Sequence, residues 1–273
     1  MKDKFNKIFN KNKNIVIGAI HFPPLLGYPD FPGLEIAISN ALNDLKTFEQ
    51  GGVDTVIFEN NYDLPHKEFV EPETVAAMTF LGTKLKAATA LPLGINVLWN
   101  DYKTSLAIAK ILGLKFIRVP VFVDEVKTDY GVIKGDPQTI RNFQKSIGAD
   151  EVALFTDIHV KHAELLSKLS LVESAKLAIA NGSDAVIVTG KWTGDAPDYG
   201  ELELLRNNIG DFPLIAGSGC NKDNIKEVFN YCNAAIVSTA LKEGEVTKKE
   251  INLKNWMQRI SENKVKEFMK AIV

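Results

Sequence analysis

Apolar residues along this chain fall into two alternating kinds of segment. Short runs that are apolar almost throughout recur at Ile15–Ile20, Val53–Phe58, Leu93–Val97, Phe116–Val119, Val152–Thr156, Ala185–Val188, Leu214–Ala216 and Ala235–Val237. Continuous short runs of this kind are the pattern of parallel strands covered on both faces. Between them lie segments with helical spacing. Leu34–Gln50 puts Ile36, Ile38, Ala41, Leu42, Leu45 and Phe48 on one stripe, and Gly51-Gly52 ends it. Glu73–Ala88 carries Val75, Met78, Leu81 and Leu85, and Ser105–Leu112 runs up to Gly113. Pro137–Ser146 opens on a proline suited to a first helical turn. Leu171–Ala180 stops at Asn181-Gly182, and Asn224–Tyr231 follows a turn. Leu253–Ile272 spaces Trp256, Met257, Ile260, Phe268 and Met269 along one helical face.

Eight strand–helix alternations with no evident linker predict an α/β chain forming a single (β/α)8 barrel (a TIM barrel) over residues 15–273. Residues 1–14 read as a polar arm or short helix ahead of it. A doubly wound sheet is the alternative, but no GxGxxG follows the first run, so a dinucleotide domain loses its main support. Residues 120–136 make a long connection after the fourth run, an extended loop placed to cover an active site.

Composition narrows the classes of partner. The 273 residues are 45% hydrophobic and 24% charged, with a formal net charge of −2. Nothing basic enough for nucleic acid or an anionic membrane stands out. No apolar stretch is long enough to span a bilayer, and the first residues lack the apolar core of a signal peptide, so a cytoplasmic protein is expected. Cys220 and Cys232 form no CxxC pair and have no zinc spacing. Both read as packing thiols in a reducing compartment, Cys220 the more notable because it follows a glycine-rich turn.

In a barrel of this kind chemistry collects at the C-terminal ends of the strands. The first five runs all end in ionisable or amide groups: His21; Glu59, Asn60 and Asp63; Asn96, Asn100 and Asp101; Arg118; then Asp157, His159, Lys161 and His162. The sixth ends in Thr189 and Thr193. The seventh ends in Gly217-Ser218-Gly219, where small residues let backbone N–H groups approach an anion at the start of the next helix. Ser238-Thr239 after the eighth run adds hydroxyls beside it, completing an expected phosphate site. Bland readings stand beside these. His21 suits a histidine buried under the first loop, Glu59 an ion pair with Arg118, and Lys161-His162 a solvated helix start. His66 reads as surface, and Trp192 as either a ligand cover or packing. His21, Glu59, Asp157 and His159 have the types to hold a divalent metal but no diagnostic spacing, so no cofactor is firmly implied.

The blocks IHFPPLLGYP, FENNYDLP, GINVLWND, KFIRV, GVIKG, FTDIHVKHA, IVTGKWTG, IAGSG and IVSTALKEG, in this order from about Ile15 to Met257, resemble the BtpA/SgcQ family. The chain departs from that family's pattern at Leu25-Leu26-Gly27, where Leu-Pro-Gly is usual, and at Pro120, where Asn is usual. The resemblance implies a barrel like those that bind ribulose phosphate. One branch of the family is described as needed for photosystem I accumulation, and another lies among sugar-phosphate utilisation proteins. Two functions follow as expectations. The first is an enzyme on a phosphorylated small molecule, a phosphosugar or nucleotide-like compound. Glu59 or Asp157 is then the base, His21, Lys161 or His162 the acid or electrophile, and Asn96, Arg118 and Thr189 further ligand contacts. Isomerase, epimerase, lyase and hydrolase chemistry all stay open, with Lys161 the imine-forming candidate for an aldolase. The second is a non-catalytic assembly factor. Homo-oligomers are expected in either case.

Overall fold

The structure, a computed structural model, describes residues 4–190, 198–244 and 255–272. Eight parallel strands close into a barrel: β1 (Ile15–His21), β2 (Thr55–Glu59), β3 (Leu93–Asn96), β4 (Phe116–Val119), β7 (Ala153–Ile158), β9 (Ala185–Val188), β10 (Leu214–Ala216) and β11 (Ala234–Val237). Neighbours in the barrel follow chain order, and β1 pairs with β11 to shut it. All eight apolar runs are strands, with ends shifted by one or two residues.

Helices α2 (Leu34–Gly51), α3 (Pro72–Ala88), α4 (Tyr102–Leu112), α5 (Pro137–Ser146), α6 (Leu171–Ala180), α7 (Tyr199–Ile209), α8 (Ile225–Val228) and α9 (Glu262–Ile272) connect or follow the strands. Their boundaries have local causes. Gly52 closes α2 at φ 90°, donating its N–H to the Phe48 and Glu49 carbonyls. Asp101 caps α4 through the Thr104 N–H, and Ser170 with Glu173 forms a capping box on α6. α7 was not visible in the hydrophobic pattern, because only Leu202 and Leu205 of its eleven residues are buried. The expected helix at Asn224–Tyr231 shrinks to the single turn of α8. The expected C-terminal helix is likewise shorter: Trp256, Met257 and Ile260 precede α9, and Met257 is 61% exposed.

Side chains alternate across each strand, so two cores form. Outward residues such as Val16, Ile20, Val56, Phe58, Ile95 and Ile117 pack under the helices. Inward residues Ile15, Ile17, Ala19, Ile57, Phe116, Phe155, Ile187, Ile215 and Ile236 fill the barrel. The N-terminal segment is more than an arm. Helix α1 (Lys4–Phe9) sets fully buried Phe5 against the barrel floor, 5.7 Å from the Phe155 ring, where Phe155 itself stacks on Phe116 at 4.5 Å.

Residues 120–136 are ordered rather than an irregular loop. Strands β5 (Glu125–Thr128) and β6 (Gly131–Lys134) form an antiparallel hairpin, which β8 (Glu164–Leu165) extends to three strands. Buried Asp124 anchors its base, accepting hydrogen bonds from the His159 N–H and from the Ser167 and Ser174 hydroxyls at 3.0, 3.0 and 2.6 Å.

Candidate functional site

The inward positions that fill the barrel continue for one more step at its C-terminal end, and there they turn polar. Two residues beyond Ala19, Ile57, Gly94, Phe116, Phe155, Ile187, Ile215 and Ile236 stand His21, Glu59, Asn96, Arg118, Asp157, Thr189, Gly217 and Ser238. Register sets the first three side by side: His21 pairs with Glu59, and Glu59 with Asn96.

Arg118 organises this layer. Its Nε and Nη2 donate to both oxygens of Asp157 at 2.8 and 2.7 Å, and Nη1 reaches Glu59 Oε1 at 3.4 Å. Asn96 Nδ2 donates to the same Glu59 oxygen at 3.2 Å. Burial opposes the guanidinium charge, but Asp157 and then Glu59 outweigh it and raise the Arg118 pKa. Glu59 Oε2 lies 3.8 Å from His21 Nε2. Burial, then the positive charges of Lys242, Lys161 and Arg118, hold the His21 pKa well below 6.5. His21 is therefore a neutral imidazole at physiological pH, and its approach to Glu59 is not a charge pair.

Opposite this layer lie the loops after β10 and β11. Gly217 has no room for a side chain, since a Cβ would come within 2.5 Å of Ile187 Cγ2. Gly219 turns the chain at φ 68°. Ser218 accepts a hydrogen bond from the Gly190 N–H at 3.0 Å, which ties this loop to the end of β9. The Ser238 hydroxyl and the Asn96 side-chain oxygen Oδ1 are buried without a hydrogen-bond partner among the described residues. Each such group costs about 1–3 kcal/mol, a strain that functional sites tolerate and cores avoid. A cavity of about 420 Å³ joins the two halves, lined on one side by His21, Glu59, Asn96 and Arg118 and on the other by Gly217–Asn221 and Ser238–Ala240.

Several expectations need correction. Asp157 is 1% exposed with both oxygens on Arg118 and does not line this cavity, so it anchors the arginine and is not placed as a base. β7 stops at Ile158, and His159 turns away at φ 46° with Nε2 3.1 Å from the Leu169 carbonyl. The set His21, Glu59, Asp157 and His159 is therefore not assembled, and among the described residues no three His, Cys, Asp or Glu side chains group to hold a metal. Thr189 accepts from the Lys161 N–H at 3.2 Å; it is not on the wall of this cavity but lines an adjoining one, to which Lys161, His162, Gly219 and Asn221 also belong. No helix starts at Lys161-His162; both residues line the cavity instead. His66 is buried, not surface, and also lines it. Cys220 lines it too, but burial raises its thiol pKa far from a nucleophile's range, and Cys232 is buried packing. The single-turn α8 offers little dipole, and Asn224 already engages the Gly219 carbonyl and the Asn221 N–H. Trp192 and Thr193 lie outside the described residues. Asn61, Trp99 and Tyr130 also border the cavity without a sequence signal of their own, because loop packing alone brings them there.

The BtpA family model matches residues 12–271. An uncharacterized protein of Pyrococcus horikoshii is 37% identical over 89% of this chain and 93% of its own length. The photosystem I biogenesis protein BtpA of Synechocystis is 37% identical over 84% and 80%. An uncharacterized mitochondrial protein of Caenorhabditis elegans is 31% identical over 98% and 96%. Among solved structures, N-(5'-phosphoribosyl)anthranilate isomerase from Pyrococcus furiosus superposes with a TM-score of 0.55 at 15% identity, over 94% of this chain and 98% of its own. Tryptophan synthase from M. tuberculosis gives 0.60 at 13%, over 99% and 97%. These likenesses establish the TIM-barrel fold. No helix among the described residues is long and apolar enough to cross a membrane.

Proposed function

The chain belongs to the BtpA family, and from that premise we propose that it is an enzyme that moves a proton on a phosphorylated small molecule held in the barrel mouth. The observation that carries this reading is the single cavity in which Glu59 and His21 face the Gly217–Gly219 and Ser238–Thr239 loops. In this reading the phosphate lies against those loops, where Gly219 permits close backbone approach and the Ser238 hydroxyl gains the partner it lacks among the described residues. Arg118 and Lys161 add positive charge around an anion. Among the solved structures of this fold, several are named for a phosphoribosyl substrate, which agrees with the reading.

Glu59 is the proposed base. Arg118 and Asn96 hold Oε1, which leaves Oε2 facing His21 to receive a proton. His21, kept neutral, suits the complementary task of donating a hydrogen bond to a developing oxyanion. Asp157 positions Arg118, and Lys161 and His162 border the reacting end. The alternative of a non-catalytic assembly factor rests on the name of the Synechocystis relative. Relatives at similar identity in an archaeon and a nematode favour an activity that does not depend on photosynthesis.

A thermal-shift panel tests the reading with sugars, their phosphate esters and inorganic phosphate. Phosphate esters should raise the melting temperature and the free sugars should not. Thr239→Glu, which puts a carboxylate at the proposed phosphate position, should abolish the shift without lowering the melting temperature of the protein alone. Equal shifts from esterified and free sugars, or an undiminished shift in Thr239→Glu, would sink it.

A further inference from the structure

The cavity has a third wall, and its chemistry differs from the other two. Leu64 and His66 after β2, Leu98 and Trp99 after β3, Tyr130 on the β5–β6 turn and Val160 after β7 line it. Trp99 and Val160 belong with Val121, Val126 and Ile133 to a separate buried cluster under the hairpin, so packing holds the indole in place. Tyr130 crosses from the hairpin tip to meet His66 edge to face, with ring centroids 5.4 Å apart at 86°. The tip itself is braced: Thr128 Oγ1 accepts from the Tyr130 N–H at 3.1 Å and donates to the Gly131 carbonyl at 2.9 Å. Asp124 fixes the hairpin base, as described above.

This wall carries flat and aliphatic surface with little charge. Burial holds the pKa of His66 at about 4, and burial with Lys161 and Arg118 does the same for His162, so both imidazoles are neutral at physiological pH. Asp129 is the one carboxylate on this side, at the hairpin tip. Sugar hydroxyls placed here would lose water without finding enough partners. A flat uncharged ring would bury its faces on aromatic surface and meet a few polar groups at its edge, among them His66, whose Nδ1 is buried without a partner among the described residues.

We infer that this wall is a subsite for a planar, uncharged aromatic or heteroaromatic ring, bounded by Trp99 and Tyr130, on a ligand whose phosphate lies against the loops after β10 and β11. The inference rests on the phosphate reading above and deepens it. The substrate class becomes a nucleoside monophosphate, or another phosphoribosyl compound bearing a ring, in place of a plain phosphosugar. The cavity volume of about 420 Å³ falls inside the range of roughly 300–1,000 Å³ common for such sites.

The test is a calorimetric and fluorescence titration of the whole chain with four probe types: the 5'-monophosphates of adenosine, guanosine, cytidine and uridine, their parent nucleosides, ribose 5-phosphate and inorganic phosphate. At least one monophosphate should bind about tenfold or more tightly than ribose 5-phosphate, the scale of one base stacked on an aromatic side chain. Tyr130→Ala should remove most of that advantage and leave ribose 5-phosphate affinity unchanged. The same ligand should quench indole emission in wild type and fail to do so in Trp99→Phe. Ribose 5-phosphate binding as tightly as all four monophosphates overturns the ring subsite and leaves the phosphate reading standing. Nucleosides that bind through Tyr130 with no gain from phosphate keep the subsite and overturn the phosphate reading. Absence of binding by every probe overturns both.

Discussion

Replacing Asp157 with Asn probes the layer on which the mouth is built. The Asp157 side chain is fully enclosed, and its two oxygens take two charge-assisted hydrogen bonds from Arg118 at 2.8 and 2.7 Å. Asn keeps one acceptor and turns an NH2 group toward a guanidinium N–H, so one of these bonds becomes a donor–donor contact. The loss of a hydrogen bond to a charged group is worth about 1.5–3 kcal/mol. Among the described residues the buried guanidinium then retains Glu59 alone, at 3.4 Å, as a paired counter-charge. Removing one partner of a buried pair outright costs about 3–5 kcal/mol, and Asn removes the charge while keeping part of the bonding, so about 3 kcal/mol is expected. For a domain of this size that lowers the melting temperature by about 6–12 °C. Urea unfolding followed by circular dichroism measures the free energy, and calorimetry the temperature. A double-mutant cycle with Arg118→Met should return a coupling of about 2 kcal/mol, because the double variant buries no unpaired guanidinium. An Asp157→Asn protein within about 1 kcal/mol of wild type would refute the argument that Arg118 depends on Asp157.

Three further outcomes are expected of the same structure. His21, His66 and His162 all have folded-state pKa values below the ordinary 6.5, so unfolding takes up protons between about pH 6.5 and 4 and stability falls as pH drops through that window. Asp63, raised to about 6 by burial, acts in the opposite sense between about pH 4 and 6; melting scans should still show a net acid loss, and His66→Leu should flatten it. Gly217→Ala places a methyl 2.5 Å from Ile187 and 2.8 Å from Thr189, which should cost about 1–3 kcal/mol in a denaturation curve and weaken binding of any phosphate ester that binds wild type. Phe5→Ala empties the barrel floor beneath Phe155 and should cost about 3–5 kcal/mol; a loss under 1 kcal/mol would show that α1 does not seal the barrel.

Much of the architecture was legible because burial on both faces makes a barrel strand apolar without interruption. All eight runs, from Ile15–Ile20 to Ala235–Val237, proved to be strands in the expected order. α7 escaped because two buried leucines are too weak a signal, and the hairpin of β5 and β6 because only Val126, Thr128 and Ile133 of its eight strand residues are buried. The site divides in the same way. Alternation along each strand already aims His21, Glu59, Asn96, Arg118 and Asp157 into one layer, so their proximity could be expected from residue types and spacing.

Which of those groups pairs with which was not readable from one dimension. Asp157 and Glu59 are both carboxylates ending apolar strands, and only the folded geometry gives Asp157 both of its bonds to Arg118 while leaving Glu59 Oε2 open toward His21. His66 illustrates the other limit. Its neighbours in sequence are polar, so it read as surface, yet a hairpin from another part of the chain brings Tyr130 over it and burial makes it neutral. Local periodicity, set by strand and helix geometry, determined the barrel and the polar layer at its mouth. Contacts between residues far apart in the chain decided the charge states, the pairing and the shape of the cavity, because desolvation and hydrogen bonding depend on what the whole fold packs around a group.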